Sequence, residues 1–339
     1  MRVLVVKLTS MGDALHLLPA LTDLQSHHAD VTVDWMIEDS FSEIPRWHAA
    51  VDRVIPVATR RWRKFNLASV REFLSFWRVL RGQHYDVVID AQGLMKSAVF
   101  ARFAKLAKGG VRAGFSGDSI KESPAAKLYQ KRIAVKREQH AIDRLRALFA
   151  GVFGYTVKSA HLDYQLELGS PPAAPRQSVM LLHGTTWSTK HLPDAVWREL
   201  ADLAADDGYQ VQLAWGNEVE RQRAEWIAKG KSNVTVLEKS NLTELAQVLR
   251  TASGAIAVDT GLGHLAAALG VPCVSAYGAT DANLTGTRGQ HQVQLQSSYP
   301  CSPCLLKTCP KLTAQVLTPP CYQQLDADRL WQALYQQIV

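Results

Sequence analysis

The sequence predicts an α/β protein in which one layout is used twice: a parallel β-sheet with helices on both faces, once in each half of the chain. Three observations predict it. Short apolar runs alternate with segments whose apolar residues recur at helical spacing, first from Arg2 to Phe149 and again from Ser178 to Ile338. A strand-to-helix junction rich in glycine and carboxylate stands in each half, Gly12-Asp13 in the first and Asp259-Thr260-Gly261-Leu262-Gly263-His264 in the second. Between the halves, Gly169-Ser170-Pro171-Pro172-Ala173-Ala174-Pro175 reads as a semi-rigid linker. The expected organisation is a first domain over 1–168, a linker over 169–175 and a second domain over 176–323. A terminal helix over 324–339 is expected to pack back on the first domain.

Taken in order, Arg2 to Leu8 is a strand, followed by Thr9-Ser10-Met11-Gly12-Asp13. A helix then runs from Ala14 through Gln25, with Leu15, Leu18, Leu21 and Leu24 on one face and Pro19 marking a kink or a late start. Asp13 therefore falls at a helix N-terminus beyond the carboxyl end of a strand, where open α/β sheets place their ligands. Val31 to Ile37 and Val54 to Val57 are further strands. Thr59-Arg60-Arg61-Trp62-Arg63-Lys64-Phe65 interleaves four basic residues with two aromatics, a pattern suited to phosphates and to a sugar or lipid surface. A helix over 69–81 and a strand from Tyr85 to Asp90 lead into Asp90-Ala91-Gln92-Gly93 and a new helix. Residues 105–140 are strongly basic, and glycines at 109, 110, 114 and 117 mark them as loop-rich.

The second half restarts with a strand from Ser178 to Leu182 that ends in His183-Gly184-Thr185-Thr186-Trp187-Ser188-Thr189-Lys190. Hydroxyls and an ammonium after a strand can hold a diphosphate, although the spacing is not that of a Walker A loop. Strands at 210–215 and 234–237 follow, with helices at 193–206, after Gly216, and from Leu242 to Arg250, where Asn241 and Glu244 form a capping box. Ala255 to Val258 is a buried strand that feeds Asp259 and a short alanine-rich helix. Cap-type Asp259 and Thr260, with Gly261 and Gly263 leaving room for a ligand, predict an anion site at that helix start. The strand Cys273 to Tyr277, the small-residue turn Gly278-Ala279-Thr280-Asp281 and an amphipathic helix over 326–338 complete the chain.

The 339 residues are 47% hydrophobic and 20% charged, a globular composition, with a net charge of +7 that favours an acidic partner. The N-terminus runs straight into the first strand, and no stretch reaches the ~18 apolar residues of a membrane span, so a soluble chain without a leader is expected. Cys301, Cys304, Cys309 and Cys321 are spaced as C-x2-C-x4-C-x11-C. That leaves open a tetrathiolate metal site or a loop of plain thiols; the second C-x2-C pair of a zinc ribbon is missing, and no bound metal is expected.

Val5 to His16, Asp90-Ala91-Gln92-Gly93, Thr185-Thr186 with Lys190, and Asp259 to Ala267 together resemble the ADP-heptose:lipopolysaccharide heptosyltransferases over nearly the whole chain. Pro45 to Val57, followed by Arg60-Arg61-Trp62-Arg63-Lys64, is similar to the branch that adds the first heptose to Kdo, heptosyltransferase I. Pro300 to Lys307 is more similar to heptosyltransferase II, which keeps a heptosylated acceptor open as the alternative. The resemblance implies a GT-B fold, two facing Rossmann-like domains with the active site between them, and an inverting transfer from ADP-heptose to Kdo2-lipid A. It implies Asp13 as general base and Lys190, with Thr185 and Thr186, on the diphosphate. Asp259, Thr260, Gly261, Gly263 and His264 would grip the donor, and Glu220 its ribose. Ser10, Met11, Gly12, Gln92, Arg60, Arg61, Arg63 and Lys64 would meet the acceptor, helped by basic residues between Lys121 and Arg137. No cofactor or metal is implied, and a monomer on the cytoplasmic face of the inner membrane is expected. Nucleic acid is not an expected partner, because no helix-turn-helix, zinc-finger or RNA-binding motif accompanies the charge. No G-x-G-x-x-G supports a dehydrogenase.

Overall fold

A computed structural model describes the whole chain except residues 65, 158–160, 174–176 and 314–317. Phe65 of the basic segment and Ala174 and Pro175 of the expected linker lie outside the described residues. The chain divides into two compact units, Met1–Glu167 and Leu168–Val339.

The first unit runs β1 (Arg2–Val6), α1 (Met11–Leu15), α2 (Leu18–His27), β2 (Thr32–Glu38), β3 (Val51–Val57), α3 (Thr59–Trp62), α4 (Leu67–Arg81), β4 (His84–Asp90), α5 (Met95–Phe103), β5 (Lys105–Phe115), β6 (Lys131–Ile133) and α6 (Ala141–Phe153). Its six strands lie in the order β3-β2-β1-β4-β5-β6, all parallel. Winding outward in both directions from β1 leaves a switch point between β1 and β4, beyond whose carboxyl ends such sheets bind ligands. The apolar runs predict this position: Val3 to Val6 of β1 and Val88 and Ile89 of β4 are fully buried, as strands covered on both faces must be.

The second unit repeats the plan with β7 (Ser178–Leu182), α7 (Asp194–Asp206), β8 (Gln210–Leu213), α8 (Glu218–Ala228), β9 (Val234–Val236), α9 (Leu242–Leu249), β10 (Gly254–Val258), α10 (Gly261–Ala268), β11 (Cys273–Tyr277), α11 (Ala282–Thr285), β12 (Gln292–Gln296) and α12 (Ala327–Ile338). The strand order β12-β11-β10-β7-β8-β9 is the same winding, with its switch point between β7 and β10. The capping box predicted for α9 is present: Glu244 N–H donates to Asn241 Oδ1, and Asn241 N–H donates to Glu244 Oε2, both at 2.9 Å. No helix among the described residues is long and apolar enough to cross a membrane.

Three expectations are corrected, and one edge strand is added. The helix expected over 14–25 is two helices, because Pro19 starts α2 anew instead of kinking one rod. The basic, glycine-rich stretch after Lys105 contains an eleven-residue strand, β5, and the short β6. Gly109, at φ 79°, sits where the register against β4 shifts, so the glycines mark a bulge in a strand. Gln292–Gln296 forms β12 at the sheet edge, where polar residues are tolerated on the open side. The terminal helix packs on the second unit. Leu330 and Leu334 are fully buried in that unit's core, Trp331 packs edge-on to Tyr209 at 5.7 Å, and its indole N–H donates to Asp207 at 2.6 Å. Its apolar face is covered by α7 and by β10 to β12 of the same unit.

Truncating that face tests the assignment: Leu334→Ala is expected to cost about 2–5 kcal/mol of unfolding free energy in urea melts, the worth of a fully buried leucine.

Candidate active site

In both units the residues singled out by sequence fall beyond the carboxyl edge of a sheet. In the first, Ser10 to Asp13 follow β1, Arg60 to Lys64 follow β3 and Gln92 follows β4. The Gln92 side-chain carbonyl accepts from Leu8 N–H at 3.0 Å and Thr9 N–H at 3.2 Å, so it ties the two loops of the switch point together. Its oxygen is thereby spent on positioning the β1 loop. Beneath it, buried Asp90 accepts from Ser97 Oγ at 2.8 Å and Tyr129 OH at 2.6 Å, and from Gln92 and Gly93 N–H at 2.9 and 3.1 Å.

Asp13 lies in the first turn of α1. One carboxylate oxygen accepts from Ser10 N–H at 2.8 Å and Ser10 Oγ at 2.9 Å. The other meets the Lys7 ammonium at 3.1 Å, where Lys7 is 7% and Asp13 41% exposed. Burial pushes the Asp13 carboxyl up, but Lys7, the Ser10 N–H and the nearby His16 outweigh it and bring it down to about 2. With only five residues, α1 has a weak dipole, and the charge of Lys7 is the larger local field. Met11 is half-buried and Gly12 buried beside it.

Within the basic segment Thr59–Trp62 forms α3 and Arg63 and Lys64 follow it, with Arg60, Arg63 and Lys64 exposed. Arg61 is different: its guanidinium is held by Glu72 at 2.5 Å and Asp39 at 2.9 Å, which raise its pKa and occupy two of its five N–H donors. It fixes α3 against α4 and is not a free anion receptor. Further along, Lys131 donates to the Val152 carbonyl at 2.7 Å, Arg132 to the Tyr129 carbonyl at 3.2 Å and Arg137 to the Ile120 carbonyl. Those three side chains buttress their own loops, so the positive face expected over 121–137 is smaller than its charge count suggests.

In the second unit, Thr185 to Lys190 follow β7, Glu220 follows β8, Asp259 to His264 follow β10 and Thr280 follows β11. The Lys190 ammonium meets the Asp259 carboxylate at 2.7 Å, across the switch point, with the two side chains only 15% and 7% exposed. Thr280 Oγ1 donates to the same oxygen at 2.5 Å, and His264 Nε2 stands 3.8 Å from the other. Burial pushes the Asp259 carboxyl up; His264 and Lys190 overcome it and hold it well below the ordinary carboxylate range. Asp259 is therefore not a helix cap. Thr260 occupies that position without a side-chain cap bond, and Gly261 begins the eight-residue α10. Thr185 Oγ1 donates to the Asp259 carbonyl at 3.1 Å, and Thr186 is exposed on the same loop.

Gly263 was expected to admit a ligand; it admits the sheet instead. A Cβ there would stand 3.1 Å from Ala257 Cβ, so its bareness lets α10 close on β10. The bareness of Gly184 admits Glu220: a Cβ there would lie 2.9 Å from the Glu220 carboxyl carbon. Glu220 accepts from Gly216 N–H at 2.8 Å and so stands against the β7 loop. Sequence reasoning assigned no role to Lys7, Trp187 or Thr280. Lys190 Nζ lies 4.4 Å and Lys307 Nζ 5.5 Å from the Trp187 ring centre, which places an aromatic face between two cations. The signal for Lys7 was its position, a lysine closing an otherwise apolar strand.

All five cysteines are free. Burial, with the thiols of Cys301, Cys304 and Cys309 nearby, pushes Cys321 up to about 11. Among the described residues no group of three or more His, Cys, Asp or Glu is arranged to hold a metal ion.

Residues 73–314 match the family model described as glycosyltransferase family 9 (heptosyltransferase). The chain is 47% identical over 315 residues to lipopolysaccharide heptosyltransferase 1 of Pseudomonas aeruginosa, covering 91% of this chain and 87% of that protein. The structure of E. coli heptosyltransferase WaaC with ADP superposes with a TM-score of 0.86 at 39% identity, covering 99% of this chain and 100% of that one. The same enzyme with ADP-2-deoxy-2-fluoro heptose gives 0.84 at 39% identity, covering 99% of both chains.

The buried pair yields a stability prediction. Asp259→Asn leaves the Lys190 ammonium without a counter-charge and is expected to cost about 3–5 kcal/mol in urea melts, whereas Lys190→Met combined with Asp259→Leu recovers most of that loss. Because Asp259 and Asp13 are both held below the ordinary carboxylate range, their contribution is complete above about pH 4 and is lost as pH falls below it, which acid titration of the wild-type fold reads directly.

Proposed function

The chain belongs to glycosyltransferase family 9 and has the α/β GT-B fold, and from that premise we propose the following reaction. It transfers L-glycero-D-manno-heptose from ADP-heptose to a Kdo hydroxyl of Kdo2-lipid A, with inversion, on the cytoplasmic face of the inner membrane. The observation that carries the reading is the pair of ionised carboxylates, each beside a buried lysine, at the switch points of the two sheets. The 47% identity to a heptosyltransferase 1 supports the first-heptose acceptor over a heptosylated one.

Asp13 acts as general base. The acceptor oxygen attacks the anomeric carbon, the bond from that carbon to the phosphate oxygen breaks, and the hydroxyl proton passes to Asp13. A carboxylate held near 2 is a weak base, but it suffices: the attacking hydroxyl becomes strongly acidic once its oxygen bonds to carbon. Ser10 and Lys7 fix the direction of that carboxylate, and Gln92 fixes the loop that carries it.

Lys190 binds the diphosphate and offsets the charge that builds on departing ADP, with Thr185 and Thr186 as hydroxyl donors and the α10 terminus adding its N–H groups. Fixed charge and dipoles then do what a divalent metal does in other nucleotide-sugar enzymes, and no metal is needed. Asp259 holds Lys190 and, with Thr260 and His264, accepts from or donates to the sugar and phosphate. Glu220 accepts the ribose hydroxyls. Arg60, Arg63 and Lys64 meet the acceptor's carboxylates and phosphates.

Asp13→Ala is expected to lower turnover by about 10²–10⁴-fold with ADP affinity nearly kept, measured by ADP release and calorimetry; retained turnover refutes the base assignment. Activity is expected to survive EDTA, and strict dependence on added magnesium contradicts the lysine assignment. Lys7→Met removes the cation that lowers Asp13, so the acidic limb of the turnover–pH profile is expected to move upward, toward about pH 4.

A further inference from the structure

Fifteen large apolar side chains stand exposed among the described residues, and eight of them lie on two adjacent helices. On α4 these are Leu67, Val70, Phe73, Leu74 and Val79, with Leu67 80% and Leu74 54% exposed; α5 adds three more. The two helices form one surface. Trp77 of α4 packs edge-on to Phe103 of α5 at 4.9 Å, and Arg81 donates to the Phe103 carbonyl at 3.4 Å. Helix α4 buries a narrow stripe, Ser69, Phe76 and Leu80, and turns leucine and valine outward where a surface helix normally carries polar residues.

Charge gathers on the same segment. From Thr59 to Gly82 there are seven basic residues and one acid, a balance of +6 in a chain whose total is +7. Among the described residues Arg60, Arg63, Lys64, Arg71 and Arg78 have no acidic partner within ion-pair distance. An apolar helix face flanked by unpaired arginines combines two terms that add at a membrane: burial of apolar surface in the acyl boundary and attraction to anionic headgroups. A protein partner would need matching acids; a second copy of this chain would meet the surface with its own +6.

We propose that the outer face of α4, extended by α5, docks the protein on an anionic lipid bilayer, with Val70 and Leu74 entering the headgroup–acyl boundary and Arg71 and Arg78 on the headgroups. Docking there sets α3, which leads directly into α4, at headgroup level. This deepens the transfer reading and rests on it for its purpose, since an acylated acceptor resides in such a surface; the docking itself is measured without transfer.

Vesicle flotation of the full chain tests it, with phosphatidylcholine alone against phosphatidylcholine containing phosphatidylglycerol. Wild type is expected to float with the anionic vesicles and not with the neutral ones. Val70→Asp with Leu74→Asp is expected to lower the bound fraction by about tenfold or more, and Arg71→Ser with Arg78→Ser to do so by about tenfold. Both double variants are expected to keep wild-type turnover on a de-acylated, soluble acceptor and an unchanged melting temperature. Undiminished flotation of either variant overturns the proposal, as does equal flotation on neutral vesicles. So does a concentration-dependent dimer that Val70→Asp with Leu74→Asp disperses, with no vesicle binding. Wild type that floats yet transfers no heptose to the soluble acceptor refutes the transfer reading and leaves the docking surface standing.

Discussion

An ammonium cannot be buried alone, and at the switch point of each parallel sheet this chain sinks a lysine nearly out of solvent against an aspartate. Lys7 meets Asp13 beyond β1, and Lys190 meets Asp259 across β7 and β10. Taking a charge out of water costs several kcal/mol unless a partner of opposite sign is present, so each lysine dictates the ionisation of its aspartate. The carboxylates stay charged because Lys7 with the Ser10 N–H, and His264 with Lys190, outweigh the cost of their surroundings. Everything proposed about the chemistry depends on that condition.

The two pairs are built differently, and the difference suits different tasks. Lys7 and Asp13 are six residues apart, one just beyond β1 and the other in α1, and Asp13 keeps 41% of its side chain open, as the proposed base needs to meet a substrate hydroxyl. Lys190 and Asp259 come from distant parts of the chain and are both nearly closed off. An anion arriving at Lys190 would share an ammonium that is already neutralised, which guards an empty site against carrying a bare buried charge. Trp187, between Lys190 and Lys307, and the bonds from Ser188 and Thr189 to the carbonyls of Lys307 and Leu306 tie the β7 loop to the cysteine-bearing segment. The thiol segment thus braces the loop after β7.

Charge is distributed with the same economy. The chain's excess of basic residues invites a picture of a broad positive face, yet Arg61 is neutralised by two acids and three residues between Lys131 and Arg137 donate to backbone carbonyls. Among the described residues Arg60, Arg63 and Lys64, on and just after α3, and Arg71 and Arg78 on α4 have no acidic partner, beside outward-facing leucine and valine. Counting charges over a sequence cannot separate these roles, because a guanidinium bonded within its own fold and one left to solvent are written with the same letter.

The sequence by itself determined the twofold α/β layout, most strand positions and the corners that carry Asp13 and Asp259, because buried parallel strands and helix starts leave period and cap signatures along the chain. The family phrases in Val5 to His16 and Asp259 to Ala267 added the chemistry. Tertiary structure alone decided what those residues touch. It put Lys7 on Asp13, Lys190 and Thr280 on Asp259, and Glu220 against Gly184, and it turned Gly263 to the sheet and sent α12 to the second unit's core. Lys190 and Asp259 stand 69 positions apart and Trp331 and Asp207 124, and no local pattern encodes a distance that only the winding of the sheet closes.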